Sequence, residues 1–137
     1  MANVYPVRKN SLKVKVDTTY VSIANMESLE VSFDPTVETW YAIENGGYQS
    51  ALKTAIAMSI SGSAKRTYGD AGNDAIADTA FLVGEDCNLD FEWTLPNGDK
   101  YEFTGVVSVD SLGGDSTAVD TISFSITVNG MPNEGQI

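Results

Sequence analysis

The chain has no histidine and only one cysteine, Cys87, among its 137 residues. The absence of histidine removes the commonest general base and the commonest zinc ligand. A single cysteine excludes an intrachain disulfide and a thiolate cluster around a metal. Because Cys87 opens an apolar strand and has no candidate base, an inert buried thiol is expected. The sequence therefore argues against an enzyme and predicts neither a cofactor nor a metal site.

Long apolar runs are also lacking. No stretch approaches the roughly 20 apolar residues of a membrane span, and the N-terminal sequence MANVYPVRKNS lacks the apolar segment of a signal peptide. We therefore expect a protein made in the cytoplasm, with no membrane partner. A hydrophobic content of 42% over 137 residues is enough for one domain with its own core.

Basic residues are few, with eight against 19 acids and a net charge of −11. Four of the eight come before the first acid, Asp17: Arg8, Lys9, Lys13 and Lys15. The acidic remainder would repel a phosphate backbone, so tight nucleic-acid binding is not expected. Two interpretations of the basic segment stay open. It is either part of a solubilising surface or, over residues 1–16, an N-terminal arm that docks on the acidic surface of a neighbouring copy.

What the chain does have is alternation of apolar and polar residues, clearest between residues 87 and 132. Phe91, Trp93 and Leu95 alternate with polar residues, and Pro96-Asn97-Gly98-Asp99 then turns the chain. The alternation returns after the turn and again from Ile122 to Val128. Shorter alternations occur at 14–16, 21–23, 29–33 and 56–61. The pattern predicts about seven or eight strands.

One segment has helical chemistry instead. Asp70 or Asn73 can cap a helix, Ile76 and Val83 fall on one face, and Gly84 can close the end. We therefore predict one amphipathic helix over about residues 73–82. The order of elements predicts a mainly β protein, a β-sandwich or partly closed barrel with this single flanking helix.

Residues 34–52 are expected to form a long loop or a protruding hairpin, because Pro35 ends or edges a strand and Gly46-Gly47 marks a turn. The segment carries Trp40, Tyr41 and Tyr48, which suit either a protein interface or a sugar-binding surface. Residues 129–137 are expected to form a C-terminal tail.

Carboxylates are the only remaining candidates for catalysis. Asp90 and Glu92 share one side of a strand, and Glu102 is placed across the turn from them, which is the arrangement that a glycosidase-like pair would need. Their alternation with Phe91 and Trp93 instead favours the outward polar side of a half-buried sheet.

Several short motifs occur in a characteristic order: Thr39-Trp40, Gly46-Gly47-Tyr48, Arg66-Thr67-Tyr68-Gly69-Asp70, Asn73-Asp74, FEWTLPNGDKYEF and LGGDSTAVDTISFSITVNGMP. Together they resemble the tail tube (major tail) proteins of siphophages, particularly those infecting Gram-positive hosts. The resemblance covers about residues 25–133, nearly the whole chain.

The resemblance implies a structural virion protein that forms hexameric rings stacked into a hollow tube. DNA passes through such a tube without specific binding. The implied partners are other copies of the chain and the tail tip, tape measure and tail terminator or neck proteins. The implied location is the phage tail, after assembly in the host cytoplasm. Two alternatives remain: a carbohydrate- or ligand-binding β-sandwich module, and the inner tube of a contractile tail or injection machine.

The same resemblance suggests roles for two sets of residues. The expected interface residues are Arg8, Lys9, Lys13, Lys15, Trp40, Tyr41 and Tyr48. The expected lumen-lining candidates are Glu27, Glu30, Asp90, Glu92 and Glu102, since like charge keeps DNA from sticking.

Overall fold

The structure, a computed structural model, describes residues 3–134. Seven strands are present in this range: β1 Ser11–Val16, β2 Thr19–Ser22, β3 Met26–Tyr41, β4 Gln49–Lys65, β5 Asn88–Thr94, β6 Lys100–Gly113 and β7 Thr121–Glu134. One helix, α1, covers Ala71–Asp78, and short 3₁₀ turns lie at Val7–Lys9, Ile43–Asn45, Thr79–Phe81 and Gly84–Cys87. The prediction of a mainly β fold with one flanking helix is confirmed.

All seven strands belong to a single antiparallel sheet in the order β2-β1-β5-β6-β7-β4-β3. The sheet does not close, and β2 and β3 are its two edges in the described part of the chain. The predicted sandwich is thus replaced by one sheet with a helical layer. A second sheet is not needed because α1 and the turns after it pack against the apolar side of this one.

The strand register places almost all the buried apolar side chains on one side of the sheet, which we call the core face. Its fully buried members include Val14, Ile60, Phe91, Ile122, Phe124 and Ile126. The aromatic rings of Phe91 and Phe103 stack with centroids 5.7 Å apart. Ile76 joins this cluster from the helix. The opposite side of the sheet is the polar face.

Helix α1 begins at a side-chain cap. Asp70 Oδ2 accepts hydrogen bonds from the backbone N–H groups of Asn73 (3.0 Å) and Ala24 (3.1 Å). At Gly72 a Cβ would overlap the carbonyl oxygen of Ser22, so only glycine permits this close approach to β2. The helix is earlier and shorter than the predicted 73–82, because a 3₁₀ turn replaces it from Thr79. Within residues 3–134, no helix is long and apolar enough to cross a membrane.

Arg66 ties the helix to the end of β4. Its guanidinium is nearly buried and donates hydrogen bonds to Asn73 Oδ1 (2.8 Å) and Asp74 Oδ1 (2.8 Å). It also lies 4.1 Å from the centre of the Tyr68 ring. The fully buried Asn73 amide donates to the carbonyls of Ala24 and Lys65. The Arg66-to-Asp74 motif is therefore a structural junction.

Both chain ends differ from the sequence-based boundaries. Residues 11–16 of the predicted basic arm are β1, because Leu12 and Val14 are buried in the core. Only residues 3–10 of the described arm lie outside the sheet. At the other end, β7 continues to Glu134, so the predicted tail from 129 begins as strand. Residues 135–137 lie outside the described residues.

Candidate assembly surfaces

The longest hairpin extends beyond the sheet. Strands β3 and β4 pair as far as Tyr41 and Gln49, whereas β4 pairs with β7 only from Ser59 onward. We call residues 33–58 the outer hairpin. Strand β3 continues through Pro35, contrary to the expected end there, because an edge strand tolerates a residue without an N–H donor. Of the two predicted forms, loop or hairpin, residues 34–52 adopt the hairpin.

The outer hairpin has two different sides. Because paired residues share a side, one side continues the core face; we call it the apolar side, with Phe33, Pro35, Val37, Ile56 and Met58. Phe33 and Ile56 are each 58% exposed. Lys53 lies opposite Val37 on this side, after a one-residue bulge in β4. Exposed apolar surface of this extent is typical of an interaction site.

The three aromatic residues predicted at the interface all lie near the hairpin tip. Trp40, Tyr41 and Tyr48 are exposed by 47%, 70% and 80%. Trp40 and Tyr41 are consecutive in a strand and therefore point to opposite sides. Sequence reasoning missed Ile43, which is 99% exposed in the tip turn. The sequence analysis also did not identify Phe33, Val37 and Ile56 as interface residues. The alternation of Phe33, Pro35 and Val37 along β3 was the signal that could have shown them.

A groove lies where the outer hairpin leaves the sheet. It has a volume of about 450 Å³ and is lined by Phe33, Met58, Trp93, Leu95, Tyr101 and Pro132. The Trp93 indole N–H donates to Asn10 Oδ1 (3.2 Å), which fixes one wall. The groove extends the apolar side of the hairpin toward the core.

The polar face is uncharged along the middle of β4 and β7, over residues 59–63 and 123–127. Hydroxyl side chains occupy successive positions of β4 and β7, with Ser61 opposite Ser125 and Ser63 opposite Ser123. Ser108 continues the row into β6. Glu30, a predicted lumen residue, lies opposite Ser61 and is exposed.

Charges concentrate at the other end of the polar face. The register places Lys13 beside Glu92, and Glu92 beside Glu102, as predicted for the two acids. Glu92 is 9% exposed, with Lys100 Nζ at 3.9 Å. Asp90 Oδ1 accepts a hydrogen bond from Thr104 (2.7 Å). The sheet therefore brings Asp90, Glu92 and Glu102 together.

The other two lumen candidates are separated from that group. Glu27 and Glu30 lie on β3, at the far edge of the sheet from β1 and β5. Glu27 forms an ion pair with Lys65, 3.3 Å from Nζ to Oε1. The five predicted acids thus form two groups on one sheet.

Tyr20 is the titratable group most affected by these charges. Partial burial raises the pKa of its hydroxyl, and the nearby carboxylates of Glu102, Asp90 and Glu92 raise this pKa further. Both causes favour the neutral phenol.

The four predicted basic residues do not act as one arm. Arg8 and Lys9 are exposed in the turn before β1. Lys13 and Lys15 are half-buried in β1 and point to the polar face, where Lys13 lies opposite Glu92 and Lys15 opposite Tyr20. The Lys15 ammonium lies 6.0 Å from the centre of the Tyr20 ring.

A second exposed apolar segment follows the helix. Phe81 and Val83 are exposed by 94% and 87%, and Glu85 and Asp86 come directly after them. We call residues 81–86 the acidic turn. The prediction that Val83 shares a helix face with Ile76 is wrong, because the helix ends at Asp78.

Comparison with known proteins identifies the fold. No protein-family profile matches the chain, and no curated protein matches its sequence significantly. Solved structures do match. A chain from the tail of an empty gene transfer agent particle, with C6 symmetry, has a TM-score of 0.77 at 19% identity, over 97% of this chain and 100% of that one. A chain from the virion of a native gene transfer agent particle gives 0.70 at 20% identity, with the same two coverages.

Two further structures extend the similarity. The SPP1 tail tube protein has a TM-score of 0.65 at 15% identity, over 92% of this chain and 77% of that one. A chain from the sheath/tube terminator structure of the PVC extracellular contractile injection system gives 0.59 at 13% identity, over 98% and 99%. The chain therefore has the fold found in tail proteins of gene transfer agent particles and in a phage tail tube.

Proposed function

We propose that this chain is a non-enzymatic tail tube subunit, which assembles into stacked hexameric rings around a channel for DNA. The observation that carries the proposal is the match to a tail chain of a particle with C6 symmetry, which spans that chain completely. The motifs of the sequence resemble the same class of protein independently.

The outer hairpin supports the assembly part of the proposal. A monomer would leave the apolar side of the hairpin and the groove at its base in water, and large exposed apolar patches usually mark an interface. We assign the hairpin tip, with Trp40, Tyr41 and Tyr48, to the contact between successive rings. Arg8 and Lys9 remain proposed contacts to an acidic neighbouring surface.

The polar face supports the channel part. Its serine and threonine residues within 59–63 and 123–127 carry no charge, and Lys65 at the end of β4 is paired with Glu27. The acids of the face repel DNA. We propose that this face lines the lumen, with Glu27, Glu30, Asp90, Glu92 and Glu102 as its lumen-lining acids. Lys13 and Lys15 lie among these acids, which offset their attraction for DNA.

The proposed partners are the tail tip, tape measure and terminator or neck proteins, and the proposed location is the virion tail after assembly in host cytoplasm. We favour a non-contractile siphophage tail of the Gram-positive-host type that the sequence motifs resemble. The weaker similarity to the contractile injection system chain is consistent with this choice.

Negative-stain electron microscopy of the concentrated protein tests the proposal. Regular hollow tubes are expected from the wild type. Replacing Trp40 with alanine and deleting residues 44–49 should leave a folded monomer that forms no tubes, because the tip contact is lost. Val119→Ala, at an exposed apolar residue outside the hairpin, is the control and should form normal tubes.

Two results would contradict the proposal. Normal tubes from the tip variant would exclude the hairpin tip as the ring contact. A wild type that stays monomeric at all concentrations and binds glycans would favour the carbohydrate-binding module instead.

A further inference from the structure

We propose that the apolar side of the outer hairpin in one copy binds the acidic turn of a second copy, with Lys53 facing Glu85 and Asp86. This contact rests on the proposed self-assembly, and it names two surfaces that associate. It is separate from the contact assigned to the hairpin tip.

The hairpin supplies an apolar surface with a single positive charge. Phe33, Val37 and Ile56 are each more than half exposed on this side, and they continue the buried core face without interruption. Lys53 is the only cation between Lys15 and Lys65 in the sequence. It takes part in none of the ion pairs found within residues 3–134.

The acidic turn supplies the opposite combination. Phe81 and Val83 are almost fully exposed, and Glu85 and Asp86 follow them. No lysine or arginine occurs between Arg66 and Lys100, so the nearby sequence offers these acids no cation. Neither acid belongs to an ion pair in the described part of the chain.

The two surfaces are complementary and lie apart in one subunit. The 3₁₀ turns at 79–81 and 84–87 pack against α1, β5 and β6, whereas the outer hairpin belongs to the β3 edge of the sheet. Joining the two surfaces from different copies buries apolar side chains and pairs Lys53 with acids at the rim. Such a contact joins two different patches, so it repeats from copy to copy and builds a ring or a filament.

Charge reversal tests the contact. Lys53→Glu alone, and Glu85→Lys with Asp86→Lys alone, should each raise the protein concentration needed for tubes by at least about tenfold, because like charges then meet. A mixture of the two variants should form tubes near the wild-type concentration. In alternating copies, each glutamate at position 53 meets lysines and each Lys53 meets acids.

Asp115→Lys, at an exposed acid in the turn between β6 and β7, is the matched control and should assemble like the wild type. Circular dichroism should show that all variants are folded, since every altered side chain is exposed. If the wild type forms tubes and both charge variants also do so at its concentration, the contact is refuted while the tube function stands. Failure of the mixture to recover would likewise refute it. A wild type that forms no tubes contradicts the proposed function itself.

Discussion

The central sheet and the outer hairpin are built from the same alternating sequence pattern, yet they differ in what covers their apolar side. In β1, β5 and β6 the apolar residues face α1 and the turns after it, and Phe91 on β5 and Ile126 on β7 are completely buried. In the outer hairpin no other part of residues 3–134 covers Phe33 and Ile56 on the same side, and both are mostly exposed. The apolar side of the central sheet is covered within the described chain, whereas that of the hairpin is largely exposed. The alternating pattern therefore predicts that a strand has an apolar side, but it does not predict what covers that side.

The comparison predicts opposite effects for two phenylalanine substitutions. Phe91→Ala should lower the free energy of unfolding by about 3–5 kcal/mol, since it leaves a cavity in the core. Phe33→Ala should change that free energy by about 0.5 kcal/mol or less in the monomer, because the ring is already exposed. It should nevertheless weaken tube formation. Urea unfolding and electron microscopy of the same preparations measure both effects.

A loss of stability from Phe33→Ala close to that from Phe91→Ala would show that the hairpin is already packed in the monomer. Val119→Ala, at an exposed apolar residue outside the hairpin, is the control and should change neither the free energy of unfolding nor tube formation.

The sequence predicted the parts of the fold that local alternation determines. The position of Glu102 across from Glu92 is confirmed, because a tight turn at Gly98 fixes the register of β5 and β6. The continuation of β3 through Pro35 was not predictable, since it depends on β3 being an edge of the whole sheet. The exposure of Val83 was missed because the helix ends one turn earlier than its apolar period suggests.

Among the candidate site residues, the acids on β5 and β6 were assigned correctly to a shared polar face. The basic residues were harder. Arg8 and Lys9 resemble Lys13 and Lys15 in sequence, but the buried neighbours Leu12 and Val14 bind the second pair into the sheet. Whether a basic residue lies in the sheet or outside it depends on which strands pair, and this long-range pairing is not visible in a local stretch of sequence.

A smaller contrast is expected between two cations. Arg66→Met should lower the free energy of unfolding by about 1.5–3 kcal/mol, because the nearly buried guanidinium makes charge-assisted hydrogen bonds to Asn73 and Asp74. Lys53→Met, on the hairpin, should change it by about 0.5 kcal/mol or less. Thermal unfolding of the two variants side by side measures the difference. Equal effects would mean that the junction at Arg66 contributes no more than a surface charge.

The smallest effect concerns the polar face of the central sheet, where Tyr20 should ionise above the ordinary tyrosine pKa of about 10. Its folded-state pKa is raised, so this group's contribution to stability is complete below about pH 10 and is lost as the pH rises through the folded value. Absorbance titration of the wild type minus Tyr20→Phe isolates this one hydroxyl. Replacing Glu102 with glutamine should move the Tyr20 pKa back toward its ordinary value, whereas Glu38→Gln on the hairpin should leave it unchanged. A Tyr20 pKa that is not raised above about 10 would show that the acids of β5 and β6 are screened by water. The polar face would then be as open as the hairpin, and the contrast between the two regions would be confined to the core face.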